Sequence, residues 1–552
     1  MSESIWVEGN VTKKESGEKI ECTEKIYTEK MKANFGFFGL GTFLYGCFYA
    51  FCMFHNPSGI TFPFFIGASL LFGCLCLSKL GITLRKGSGF YMCSMMLLAV
   101  STFCTDDARI INMNKIGIFL LMISLLLNQF YDTSKWQLGK YVTSIVTVVF
   151  CSLGELDRPF CDGNAYRKTL QKGKWNKVFY VIIGGLAALP LFTVVFLLLV
   201  SADAVFREGV RELFKEISAA DVFQILLMVI GMFLAVYCIL SYVCDQHIKE
   251  EVRDRRTGEP VLAITVTGML TALYLVFSVI QIMYLFIGNM KLPEGYTYAG
   301  YAREGFFQLL IVSALNLVIV LCALSLFRES KVLKAVLAVM SFCTFIMIAS
   351  SAMRMMIYIR YYYLTFLRIF VLWALLVLTF LFAGVVIRIF RGSFPLFRYC
   401  CVAVTCCYLA LSYCHPDYWI AKVNVAHVEQ DEEGCFFMGE RYVDISYLSG
   451  FCADAAPVLV PWIAERGAET AYSENAAYGE QAAVYDEQAA VYDEQAQGID
   501  AEVGNFDSRV DGNTPEYIRR MNRIYEKYDG LLQFNVSRYM AHWQIERAGY
   551  AE

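Results

Sequence analysis

The feature that most limits what this chain can become is a series of apolar runs, almost free of charge, each long enough as a helix to cross the hydrocarbon core of a bilayer. They fall at residues 35–54, 60–77, 88–104, 110–130, 178–200, 222–243, 261–288, 305–327, 332–353, 366–387 and 397–414. In lipid every backbone N–H and C=O must be satisfied within its own segment, so such runs form helices. The expectation is an all-α fold, a polytopic transmembrane bundle of about 11 spans with a small, mainly helical C-terminal soluble domain. Composition agrees: 57% of the 552 residues are hydrophobic and 18% charged, against roughly 25% charged in soluble domains.

Charge in the loops sets an expected orientation, because short cytoplasmic loops keep Lys and Arg. Lys30 and Lys32 precede the first span, and Lys79, Arg85 and Lys86 lie between the second and third. Lys172, Lys174 and Lys177 precede the fifth, and Arg253, Arg255 and Arg256 follow the sixth. Arg328, Lys331 and Lys334 follow the eighth, and Arg388, Arg391 and Arg398 the tenth. The intervening loops, such as 55–59 and 105–109, are lean in bases or carry balancing acids. A multi-pass cell-membrane protein with a cytoplasmic N-terminus and, after an odd number of spans, an extracytoplasmic C-terminal domain is expected. The polar segment 1–34 lacks the pattern of a cleavable signal peptide, so the first span is expected to be its own signal. Residues 141–153 are apolar but short and flanked by bases on both sides, which reads as interfacial or re-entrant. The run at 397–414 is the weakest span, and the side of the tail depends on it.

These readings divide the chain into a cytoplasmic segment 1–34, N-terminal spans 35–137, an interfacial helix and basic loop 138–177, a membrane core 178–414, a soluble segment 415–469, a low-complexity linker 470–513 and a helical hairpin 514–552. Residues 415–552 hold 25 Asp and Glu against 10 Lys and Arg, and the remainder 26 against 37, so an acidic tail follows a basic membrane part. In the linker, EQAAVYD occurs twice in tandem at 480–486 and 487–493. Two Ala- and Gln-rich heptads without an apolar seam point to a solvated linker rather than a coiled coil. Thr514 and Pro515 form a helix start, Ile518, Met521, Ile524, Tyr525 and Tyr528 follow at helical spacing, Gly530 interrupts, and a second helix runs to Arg547. The sequon-like Asn535-Val536-Ser537 carries little weight alone. Of the 20 cysteines most lie in apolar runs as small hydrophobes. Only Cys435 and Cys452 lie well within the tail, where a disulfide requires an oxidising compartment.

Candidate chemistry is sparse. The segment Arg354 to Arg368 is the densest cluster: on one continuous helix Arg354, Tyr358, Tyr361, Thr365 and Arg368 would share a face able to hold an anionic group. The plain alternative is snorkelling Arg with an interfacial Tyr belt, and the chain must also turn there. Asp203 at the end of the fifth span pairs with an Arg or a cation, or simply ends the helix. Arg303, Glu304 and Asn316 are further polar groups near the same surface, Asn316 chiefly as an interhelical hydrogen bonder. The five scattered histidines offer no metal pair, and no cofactor motif or phosphate loop is present. Asp106 and Asp107 are similar to the carboxylates of membrane glycosyltransferases, but those enzymes need a long first outer loop and here it is 55–59.

Taken in order, Ser201, Ala202, Asp203 and Phe206; Tyr301, Ala302, Arg303, Gly305, Phe306 and Asn316; Arg354, Tyr358, Tyr362, Leu364, Thr365 and Arg368; Asp417, Ile420, Ala421 and Asn424; and Asp444, Tyr447, Leu448, Asp454, Ala455 and Pro457 form a signature. It resembles the bacterial membrane family described as domain of unknown function 4173, related to the 4153 group. One departure is Tyr363, where the family pattern has Gly. The resemblance implies a bacterial cell-membrane protein and no particular activity. The leading expectation is a non-enzymatic binding, signalling or accessory role in the envelope, with an envelope protein or anionic lipid as partner besides the bilayer, and no nucleic acid. Transport of a small anionic or lipid-linked substrate is the alternative, and a lipid-linked transferase the third.

Overall fold

The structure, a computed structural model, describes residues 26–131, 138–170, 219–245, 256–283, 305–430, 445–466, 516–528 and 530–550, with 136, 195, 199, 436–438 and 441–442. Within them the apolar runs are helices: α1 (Phe35–Met53), α2 (Thr61–Leu80), α3 (Ser88–Cys104), α4 (Ala108–Phe130), α5 (Leu138–Cys151), α6 (Arg158–Leu170), α7 (Ala219–Cys244), α8 (Pro260–Gln281), α9 (Phe306–Leu326), α10 (Lys331–Tyr362), α11 (Phe366–Phe390) and α12 (Leu396–Ser412). Apart from 195 and 199, the run at 178–200 lies outside the described residues. Among the described residues eight helices are long and apolar enough to cross a membrane, and ten if each of two bent pairs counts as one span. This is an all-α polytopic bundle.

Two compact units emerge. The first contains residues 1–57, 61–96 and 117–252. Here α1 crosses α7 so closely that a Cβ on Gly46 would lie 2.7 Å from the Val229 carbonyl oxygen, the small-residue contact that lets helices pack in lipid. The stretch expected to be interfacial or re-entrant forms α5, a 3-10 turn at Ser152–Glu155 and a 52° bend into α6. Arg158 holds that bend by bridging Glu155 at 2.7 Å and Asp245 at 2.6 Å, and the buried Tyr237 hydroxyl donates to Asp162 at 2.9 Å.

The second unit contains 58–60, 97–116 and 253–552. Its membrane part packs α8, α9 and α11 around α10, with Leu337, Met340 and Val320 fully buried. Asn316 is fully buried on α9, accepting from the Tyr274 hydroxyl at 2.9 Å and donating to Thr344 at 3.1 Å. It therefore ties three helices, and such bonds contribute roughly 0.6 kcal/mol each in lipid. Helix α12 runs antiparallel to α11, since Tyr399 near its start reaches the Phe380 carbonyl and Cys407 near its end accepts from Trp373. A 51° bend at His415 (φ 48°) leads into α13 (Pro416–Val425).

Beyond α13 the C-terminal region adds a small antiparallel sheet to the expected helices, β1 (Val428–Gln430), β2 (Phe436–Met438) and β3 (Arg441–Tyr442) in that order. Helices α14 (Ile445–Ser449), α15 (Ala456–Arg466), α16 (Glu516–Lys527) and α17 (Val536–Arg547) follow. The hairpin α16–α17 keeps the expected period, with Ile518 and Met521 in a core that also holds Ile420, Leu459, Val460, Ala541 and Ile545. Thr514 and Pro515 lie outside the described residues. Leu364, Phe366 and Ile369 from the α10–α11 turn pack on the same core, so the region rests on that end of the bundle.

The turn itself is strained. Tyr363 has φ 59° and ψ −164°, a region open essentially to Gly and costing other residues about 1–3 kcal/mol. The chain holds it there because the Asn424 side chain accepts from Leu364 N–H at 3.1 Å and donates to its carbonyl at 3.0 Å, and because the Tyr363 ring lies 4.9 Å from His427. The backbone thus keeps a glycine conformation at a tyrosine. We expect Tyr363→Gly to be more stable than Tyr363→Ala by about 1–3 kcal/mol in thermal melts of the detergent-solubilised protein. Equal melting of the two variants would contradict the strain.

Candidate functional site

Asp454 is the central residue of the 3-10 turn Ala453–Ala455 and its side chain is almost fully buried. A buried carboxylate needs donors, and here they come from three separate stretches of chain. Thr105 Oγ1 donates at 2.6 Å and Asp106 N–H at 3.0 Å, both from the α3–α4 loop. His415 Nδ1, at the α12–α13 bend, lies at 3.0 Å, and the Ser537 hydroxyl of α17 donates as well.

Three further contacts surround this centre. Arg538 of α17 reaches Asp106 through Nε at 2.6 Å, and its guanidinium stacks on Tyr528. Arg109 at the start of α4 bridges Asp107 at 2.9 Å and Asp417 at 2.6 Å, with its guanidinium 3.9 Å from the Phe366 ring centre. Asn535 caps α17 by accepting from Ser537 and Arg538 N–H, while its amide donates to the Ser58 and Thr105 carbonyls at 3.1 and 3.0 Å. Below, Asn114 on α4 joins Tyr408 (2.7 Å) and Ser412 (2.8 Å) of α12.

The local field is negative, since four carboxylates face two guanidiniums and one imidazole. Burial pushes the Cys452 thiol well up, reinforced by Asp454, Asp417, Asp107 and Asp106. Burial likewise raises Asp106 against the pull of Arg538. For Asp454, burial is outweighed by hydrogen bonds from His415, Ser537 and Thr105, and its pKa falls below 3.8. The hydrogen bond to Asp454 lifts His415 above 6.5. Asp454, Asp106, Asp107 and Asp417 are each bonded to another part of the same chain, which makes the arrangement a clasp between the C-terminal region and the helix ends. Among the described residues no three His, Cys, Asp or Glu side chains are grouped to hold a metal ion.

The residues expected to form a ligand face are described only in part. Asp203, Arg303 and Glu304 lie outside the described residues, as does Cys435, so its pairing with Cys452 is not described either. Helix α10 ends at Tyr362, so Arg354, Tyr358, Thr365 and Arg368 do not share one continuous helical face. Arg368 stacks on Tyr358 at 4.4 Å and donates to the Tyr362 and Tyr363 carbonyls, closing the end of α10. Thr365 is the N-cap position of α11 without a side-chain cap bond. Arg354 is buried, its Nη1 filling the space that a Cβ on Gly305 (φ 93°) would need. Arg109, His415 and Arg538 carry no local sequence signal for this role, whereas Asp417, Asn424 and Asp454 stand in the family-like signature.

The clasp has a signed pH dependence. His415 is raised, so its contribution is full below 6.5 and is lost as pH climbs through its higher folded value; the raised Asp106 also weakens the fold as pH increases. Asp454 is lowered, so its contribution is full above 3.8 and is lost on acidification. We expect hydrogen-exchange protection of amides 536–547 to fall on both sides of an intermediate pH range, and His415→Gln to flatten the loss that begins above 6.5. An unchanged alkaline limb in that variant would contradict the assignment.

A family model described as Domain of unknown function (DUF4153) matches residues 92–461, more than half of the chain. The matched stretch runs from α3 to α15 and includes Asp106, Asp107, Arg109, His415, Asp417 and Asp454, whereas Ser537 and Arg538 lie beyond it. No curated protein and no solved structure matches the chain. With its apolar helices and the clasp residues carried inside the matched stretch, the chain belongs to the family of domain of unknown function 4153.

Proposed function

We propose that the protein is a non-enzymatic binding or signalling protein of the bacterial cell envelope, in which an extracytoplasmic C-terminal region receives a partner and the clasp conveys its docking to the membrane helices. The finer affiliation with the 4173 group, carried by the signature residues, is part of this reading. The observation that carries the proposal is the convergence of three distant chain segments on Asp454. A group shared between the C-terminal region and the ends of α3, α4 and α12 makes their packing interdependent, and coupling of this kind requires such an element.

The outward placement is supported by the loops that the C-terminal region touches. Ser58 and Thr105 to Arg109 belong to the loops lean in Lys and Arg, which by the positive-inside rule lie outside. The antiparallel course of α12 along α11 supports the same parity. An envelope protein or an anionic lipid is the proposed partner.

A photo-crosslinking residue placed at exposed Tyr447 or Trp419 tests the reading in growing cells. The expected result is a crosslinked envelope component whose yield changes at least several-fold in Asp454→Asn at equal membrane abundance. Capture indifferent to Asp454, or none at either site, would contradict it.

A further inference from the structure

The hairpin has two unlike outer faces. On α16 the exposed residues are Glu516, Arg523, Glu526 and Lys527, an ordinary solvated face. On α17 the residues opposite the buried Ser537, Ala541 and Ile545 are Tyr539, Met540 and Trp543, exposed at 47%, 41% and 41%, with Glu546 and Arg547 only in the last turn. The short loop before α17 adds Leu531 at 87%, Leu532 at 45% and Phe534 at 36% exposure. Six large apolar side chains are thus exposed along 531–543, in a hairpin (514–552) whose 5 acids and 6 bases nearly balance.

Their position says what covers them. The Phe534 ring lies 5.9 Å from Phe103 in the last turn of α3, and the Phe534 carbonyl accepts from Ile60 N–H at 2.9 Å, immediately before α2. The next residues, Asn535 and Arg538, are bonded to Ser58, Thr105 and Asp106. The apolar side chains therefore begin where apolar helices end, and on the exposed face of α17 charge returns only in its last turn. Tyr and Trp with a nearby Arg are the residues that favour the headgroup level, and Arg547 lies over Trp543 at 5.5 Å.

We propose that the loop 531–534 and the exposed face of α17 are seated in the lipid surface, at the boundary between headgroups and acyl chains, so that the C-terminal hairpin is a membrane-resting element and not a free soluble module. This holds on whichever side the region lies. It also explains why the outer face of α17, unlike that of α16, is apolar at the end fastened to the bundle.

The test uses the full chain in nanodiscs of phosphatidylethanolamine and phosphatidylglycerol carrying a clickable acyl chain, one protein per disc. A benzophenone amino acid replaces Leu531, Met540 or Trp543 in turn, with Glu526 as the solvent-facing control. Lipid adducts several-fold above the Glu526 control at two or more of the three positions are expected. Adduct yields equal to that control, or crosslinks to a second copy of the chain in discs loaded with two, would overturn the proposal. Using three positions keeps the test decisive if one variant fails to fold.

Discussion

The second compact unit depends on a carboxylate that is out of water. Moving an ionised group from water into a protein interior costs several kcal/mol unless donors replace its hydration, and Asp454 obtains those donors from Thr105, Asp106 N–H, His415 and Ser537. None of these partners is near it in sequence, so the burial of one side chain requires the α3–α4 loop, the α12–α13 bend and α17 to arrive together. The ion pairs Arg538 with Asp106 and Arg109 with Asp107 and Asp417 surround it and offset the charge of three further carboxylates. Removing one member of such a set leaves the others buried without a partner, a larger penalty than the net value of the intact contact.

Much of this architecture is legible in the sequence because lipid simplifies the problem. A run such as 366–387 has one hydrogen-bonded solution in a bilayer, and α11 is that helix. The hairpin was equally legible, since Ile518 and Met521 at helical spacing can only face a core. Asn316 behaves as an amide inside a bundle must, bonding across helices. Tyr363 shows the reverse situation: the departure from Gly is visible in the sequence, but not that Asn424 and His427 would hold the same backbone conformation in its absence.

The clasp was not legible, for a physical reason. Asp106 and Arg538 are brought together across more than four hundred positions, and no local period or spacing encodes a tertiary ion pair. Arg368 is a second case: an Arg in a Tyr-rich segment at a span end reads either as part of an anion-holding face or as a snorkelling cation, and spacing does not show that its guanidinium donates to the carbonyls that end α10. Only the family-like signature pointed toward Asp417, Asn424 and Asp454, and the matched stretch stops short of the hairpin that completes the arrangement. The family segment thus supplies Asp454 together with its donors Thr105, Asp106 N–H and His415, and the hairpin adds Ser537, Arg538 and Asn535.

The central claim, that the C-terminal hairpin is held to the membrane bundle through Asp454, is tested most directly by cutting the chain between them. A protease site inserted between the two EQAAVYD copies leaves 514–552 connected only by non-covalent contacts. After cleavage in nanodiscs the hairpin fragment is expected to stay with the wild-type protein through gel filtration at near-neutral pH and to dissociate from Asp454→Asn. Dissociation from the wild type, or equal retention by the variant, would contradict the account.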